Sequence, residues 1–242
     1  MLGEKIKWMH GPHICTAMFV GVLCMGVLLC LAAGATATIP SNVQAPTEPC
    51  PPSLLPPAPE GTQPGMSGST DLLAPPAGEV IVCIGVQSIT GAMFSHWAVV
   101  AQKAEGSTKH RASTTAVIKE VMGFLISSFW VIGEASTLNI HVSEAKVRHT
   151  FDSIRGQQFP KRREFNEFLK STGQTIADIL FRVRLNLLSG RIQRHVLAGH
   201  KGRRGQRDLA RFVHGFRRKW TAETYCASTY AISDCGHVQA TL

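Results

Sequence analysis

A chain of 242 residues with 44% hydrophobic and 17% charged residues is neither a disordered polar chain nor a polytopic membrane protein. Its 25 Lys and Arg against 16 Asp and Glu give a formal net charge of +9, which invites a nucleic-acid reading. The excess is local, however: residues 191–219 hold ten Lys and Arg and a single acid, Asp208, and no stacking-aromatic or zinc-finger module accompanies them, so no nucleic-acid partner is expected.

In chain order, residues 14–35 carry no charge and match the ~20 residues needed to cross a bilayer core. Lys5 and Lys7 precede this run, and the next basic residue is Lys103. By the positive-inside rule the N-terminus stays in the cytoplasm and everything after residue 40 is exported. Ala35-Thr36-Ala37 fits a signal cleavage site, whereas the run is longer than a usual signal core. Residues 1–37 are therefore either a signal peptide or a single-pass anchor, and the remainder is secreted or held outside the cell membrane. A lipoprotein reading is disfavoured, because leucine precedes both Cys24 and Cys30 where a small residue is wanted. Eleven of the 13 prolines lie between Pro40 and Pro76, so residues 38–78 are expected to be an extended, disordered linker.

Cys15, Cys24 and Cys30 fall in the apolar run, leaving Cys50, Cys83, Cys226 and Cys235. In an oxidising exterior Cys226 and Cys235 can close the short loop CASTYAISDC. A metal site that adds His237 lacks the short Cys or His spacings of such sites. A bridge from Cys50 to Cys83 would tie down the linker, which counts against it.

The ordered part opens with residues 79–84, EVIVCI, a β-branched run predicted as the one strand, and residues 85–91 continue it through a turn. Thr90 caps a helix from Ala92 through Phe94, Trp97, Ala98 and Ala101. After a polar loop over 105–113, residues 114–135 place Val117, Ile118, Val121, Met122, Leu125, Phe129 and Ile132 on the helical period, and Phe124, Ile126 and Trp130 widen the stripe. Ser143 caps a third helix with Val147, Phe151 and Ile154 inward. Pro160 opens a fourth with Phe165, Phe168 and Leu169 inward, closed by Gly173. Thr175 and Asp178 stand in capping-box spacing ahead of the longest helix, whose apolar positions are Ile176, Ile179, Leu180, Val183, Leu187 and Ile192. GHKGRRG at 199–205 is a breaker-rich basic link, and a last helix over 208–220 carries Leu209, Phe212, Val213 and Phe216. The predicted class is mainly α, with one short N-terminal strand, behind a membrane segment and a Pro-rich linker.

Three stretches, EVIVCIGVQSITGAMFSHW, VMGFLISSFWVIGEASTLNIHVSEAKVRHTFDSI and FPKRREFNEFLKSTGQTIADILFRVRLNLLSGRI, together resemble the N-terminal domain of the SurA/PrsA type of extracytoplasmic chaperones and peptidyl-prolyl isomerases. The likeness covers residues 79–198, and FRRKWTAETYCASTYAISDC looks like the tail of actinobacterial members. It implies a helical SurA-N-like domain at 79–198, followed by a basic C-terminal helix and Cys-containing tail at 199–242. The turn Ile84-Gly85-Val86-Gln87 departs from the polar, glycine-containing turn usual after the family's first strand. Members that isomerise prolyl bonds carry a whole parvulin domain between the long helix and the terminal one. Only residues 197–207 stand there, too few for strands around a His-lined pocket, so the resemblance transfers no catalytic residue.

No other chemistry is apparent in the sequence. The ten histidines lack metal spacing, with His195 and His200 five apart. Gly199, Gly202 and Gly205 lack the Lys-Ser/Thr pair of a phosphate loop, and Ser67 lacks the strand and spacing of a nucleophile elbow. No metal or cofactor is expected. The resemblance implies a protein that binds unfolded or nascent exported polypeptides on apolar surface; Phe124, Phe129, Trp130, Phe151, Phe165 and Phe168 are its candidate client-contacting aromatics, in competition with a role as plain helical core. Two alternatives stand beside it: an active prolyl isomerase with an unrecognised site, and a membrane-anchored adaptor that binds a partner or anionic lipid through the basic C-terminal helix.

Overall fold

The computed structural model describes residues 72–105, 113–200 and 202–236. The uncharged run at 14–35, its cleavage motif, Cys50 and most of the Pro-rich stretch lie outside them. Along the described chain run β1 (Val80–Ile84), β2 (Gln87–Thr90), α1 (Gly91–Glu105), α2 (Thr114–Thr137), α3 (Glu144–Gln158), α4 (Arg162–Thr172), α5 (Ile176–Val196), α6 (Gly202–Ala222) and β3 (Thr224–Cys226), with a short 3₁₀ turn at Ser228–Tyr230. The fold is mainly helical.

The helix starts follow local chemistry. The Ser113 and Ser143 side chains accept from the backbone amides of Ala116 and Lys146, and Thr175 and Asp178 form a reciprocal capping box. Gly173 closes α4 in the left-handed conformation, φ 69°, which a side chain would strain. Pro160 lies outside α4, which begins at Arg162 behind Lys161.

Two expectations about strands are corrected. Instead of one strand there is a three-stranded antiparallel sheet in the order β2-β1-β3. β1 and β2 form a hairpin over a two-residue turn, Gly85-Val86, in which Gly85 takes φ 56° as the first position of such turns requires. β3 pairs Thr224, Tyr225 and Cys226 with Ile84, Cys83 and Val82. A strand of three residues has no readable period; it exists because β1, far earlier in the chain, offers an open edge.

The basic link at 199–205 is also corrected, because α6 starts at Gly202 and absorbs most of it. Gly205 is buried there, and a β-carbon at this position would stand 2.8 Å from the His200 carbonyl oxygen. Glycine serves close approach here rather than helix breaking. The end of the expected linker is folded as well. Glu79 and Ala77 accept from the amides of Gly91 and Ala92, and Tyr230 Oη donates to the Leu72 carbonyl. Nor does residue 198 separate two packing units, since Trp220, Cys226, Tyr230 and Cys235 share one core with β1, α1 and α2.

α2 is the axis of that core. By length and composition it could cross a bilayer, yet half of its most apolar window is buried inside the fold, as in a central helix packed between α1, β1 and α5. The Cys226–Cys235 disulfide is present, with Cα atoms 5.9 Å apart. Cys83 is also disulfide-bonded. The pairing of Cys50 with Cys83 lies outside the described residues.

Candidate functional site

The six candidate aromatics do not form one presented surface. Phe129, Trp130, Phe151, Phe165 and Phe168 are buried, with exposures of 3–8%. Trp130 donates through Nε1 to Thr224 Oγ1 at 2.8 Å and meets the Phe216 ring edge-on. Phe151, Phe165 and Phe168 lock α3 to α4 through a ring cluster that also takes in Phe159. These five are core, because each completes a contact between elements. Phe124 alone is half-buried, and its ring packs on Trp97 with the Arg182 guanidinium 4.7 Å from its centroid.

Arg182 is half-buried beside this ring pair. Burial pulls its guanidinium below the usual value, against the opposing charges of Asp178 and Glu120. Asp178 is held on both oxygens: Oδ2 accepts from Thr175 N at 2.7 Å and Oγ1 at 2.8 Å, and Oδ1 lies 2.9 Å from His96 Nε2. The geometry orients a histidine. It ties α1 to the capping box of α5. Among the described residues no group of three His, Cys, Asp or Glu side chains is placed to hold a metal.

The surface that the candidate aromatics miss lies where α2, α5 and α6 meet. α2 ends in a Schellman motif: Asn139 adopts φ 53°, Ile140 N donates to Ala135 O at 2.7 Å, and Asn139 N to Ser136 O at 3.0 Å. The reversal lays Ile140 over the last turn of α2 and leads the chain on to Val142. Arg191 on α5 donates to the His141 carbonyl and holds this loop against the helix. On α5, Leu188, Ile192 and Val196 recur every four residues on one face. Three residues of this cluster are buried (Ala135, Leu188 and Ile192), while seven apolar neighbours, Val131, Ile132, Leu138, Ile140, Val142, Val196 and Phe212, stay half-buried. Exposed Arg191, next to Ile192, stands at its edge. Such an arrangement can hold apolar side chains of an extended chain. Val196, which continues the α5 stripe four residues past Ile192, was the available signal.

The edge of this surface is pinned by Asp208. His200 Nδ1 lies 2.7 Å from Oδ2, and Arg211 donates to Oδ1. The Arg211 hydrogen bond, helped by the Arg211 and His200 charges, holds the Asp208 carboxyl below the ordinary carboxylate range. A value lower in the folded than in the unfolded chain adds stability at neutral pH and loses it as pH falls through the lowered value. Asp208→Asn should therefore lower the melting temperature at neutral pH, and melts recorded down the acid range should converge with wild type. A constant offset at every pH would rule this out.

No protein-family model, curated protein or solved structure matches the chain.

Proposed function

We propose that this chain is an extracytoplasmic chaperone of the SurA/PrsA type that holds unfolded or partly folded exported polypeptides and has no isomerase domain of its own. The observation that carries the reading is the cluster between α2, α5 and α6, in which seven half-buried apolar side chains surround three buried ones. Their open area offers small, repeated apolar contacts whose individual weakness permits release. The mainly helical order behind an entry strand is in keeping with the resemblance carried by residues 79–198. The isomerase alternative fits less well, because only residues 197–201 join α5 to α6.

The test is suppression of aggregation of a chemically denatured client on dilution, using the full chain. Wild type should suppress it near stoichiometric ratio. Val142→Ser with Val196→Ser should lose half or more of that effect, while each half-buried valine removes only about 1 kcal/mol of stability. A wild-type chain without effect, or a double variant as active as wild type, would end the reading. A proline-limited refolding reaction run beside it reads isomerase turnover directly.

A further inference from the structure

α6 has a second face that neither the core nor the candidate client surface uses. Arg203, Arg207, Arg211, His214 and Arg218 recur at intervals of four, four, three and four, and so form one ridge along the helix, with Arg204 beside it; all six are exposed. The ridge is about 22 Å long at 1.5 Å per residue. Phe212, Phe216 and Trp220 lie on the opposite side and pack into the core clusters. The one acid of the helix, Asp208, is engaged by His200 and Arg211. Among the described residues, Arg203, Arg204, Arg207 and Arg218 have no carboxylate within ion-pair distance.

We propose that this ridge docks the folded domain on an anionic phospholipid surface. Like charges one helical turn apart repel within a Debye length of about 8 Å, so the ridge does nothing for folding and is relieved by a partner of opposite charge. A straight ridge meets a plane with all its charges at once. Its charged members are all arginine, whose flat fork matches phosphate oxygens in pairs where lysine offers a point charge. Lipid phosphate is favoured over another polyanion by the same chain's uncharged run at residues 14–35, which has the length and composition of a bilayer segment. With the apolar face of α6 turned inward, the ridge has nothing to insert. Docking is electrostatic adsorption, distinct from client binding, and must weaken steeply with salt.

The experiment compares full chains for flotation with vesicles of phosphatidylcholine and of phosphatidylcholine mixed with phosphatidylglycerol. The N-terminal run contributes equally to every chain. Wild type should bind the mixed vesicles more tightly than the neutral ones, and high salt should abolish the difference. Arg203→Gln, Arg204→Gln, Arg207→Gln and Arg218→Gln together should weaken binding to the mixed vesicles about tenfold or more, with helix content unchanged. A control removes the same charge elsewhere: Lys161→Gln, Arg162→Gln, Arg163→Gln and Lys170→Gln, all exposed at the start and end of α4, should leave binding as in wild type. Equal binding to both vesicles, or equal loss from both quadruple variants, overturns the proposal. So does a ridge that binds RNA or polyglutamate but leaves the mixed vesicles unbound.

Discussion

Trp220→Ala should destabilise the folded unit by about 3–5 kcal/mol, a large part of the ~5–15 kcal/mol that holds a domain of this size together. The indole is buried and joins α6 to α2 in two ways: its Nε1 donates to Glu134 Oε2 at 2.8 Å, and it lies directly over Gly133. Its ring also carries the ammonium of Lys219, its neighbour on α6, 4.7 Å from the centroid. Glu134 is itself buried and receives Lys219 Nζ at 2.9 Å on the same oxygen, so truncating the indole leaves a buried carboxylate with one donor fewer. Thr224 extends the anchor: its Oγ1 donates to the Trp220 carbonyl at 2.6 Å and accepts from Trp130.

The same geometry gives the prediction its control. A β-carbon on Gly133 would stand 2.2 Å from the Trp220 ring, so Gly133→Ala must displace the indole and should cost several kcal/mol, although alanine favours a helix over glycine by about 1 kcal/mol. Once the ring is removed the clash is gone and only the helix preference remains. In a Trp220→Ala background, Gly133→Ala should therefore be neutral or stabilising, and the double-mutant cycle from urea melts should show strong coupling. Additive losses, or a neutral Gly133→Ala in the wild-type chain, would mean that Trp220 does not sit on Gly133.

The contrast between Thr175 and Trp220 explains how much was legible beforehand. Thr175, Asp178, Ser143 and Gly173 act within a few residues of themselves, so their caps and stops could be read from spacing alone. The helical stripes of α2 likewise named residues that are buried, Val117 to Phe129. What escaped depends on distant partners. β2 has a single buried residue, Ile89, and β3 only three residues in all, so each is defined by its pairing with β1. Gly205 looks like a breaker until His200 folds back against it. For the candidate site the difficulty was one of kind. Aromatic content marked residues able to bind, but Phe151, Phe165 and Phe168 satisfy one another between α3 and α4. The half-open surface falls instead on valines and isoleucines such as Val142 and Ile140, placed by the turn at Asn139.

Replacing Cys226 and Cys235 by alanine together should cost about 3 kcal/mol and lower the melting temperature by roughly 6–12 °C. The bridge closes a loop of nine-residue separation, short enough that chain entropy alone accounts for most of that figure. Its location decides what is lost. Cys226 is the last residue of β3 and lies opposite Val82; Cys235 is fully buried and accepts from Ile232 N on its sulfur. Between them Tyr230 packs edge-on to Phe94 at 5.0 Å and donates to Leu72, so the loop fastens both the start of α1 and the end of the Pro-rich stretch. The paired alanines should accordingly raise proteolytic cleavage within 227–236 well before the helices melt. Chemical reduction is the poorer experiment, because it also opens the bond at Cys83 on the buried central strand. If the variant melts with wild type and its tail resists protease, Tyr230 and the β1–β3 pairing hold the tail unaided. If reduction then lowers the melting temperature further in the variant, that increment belongs to Cys83 alone.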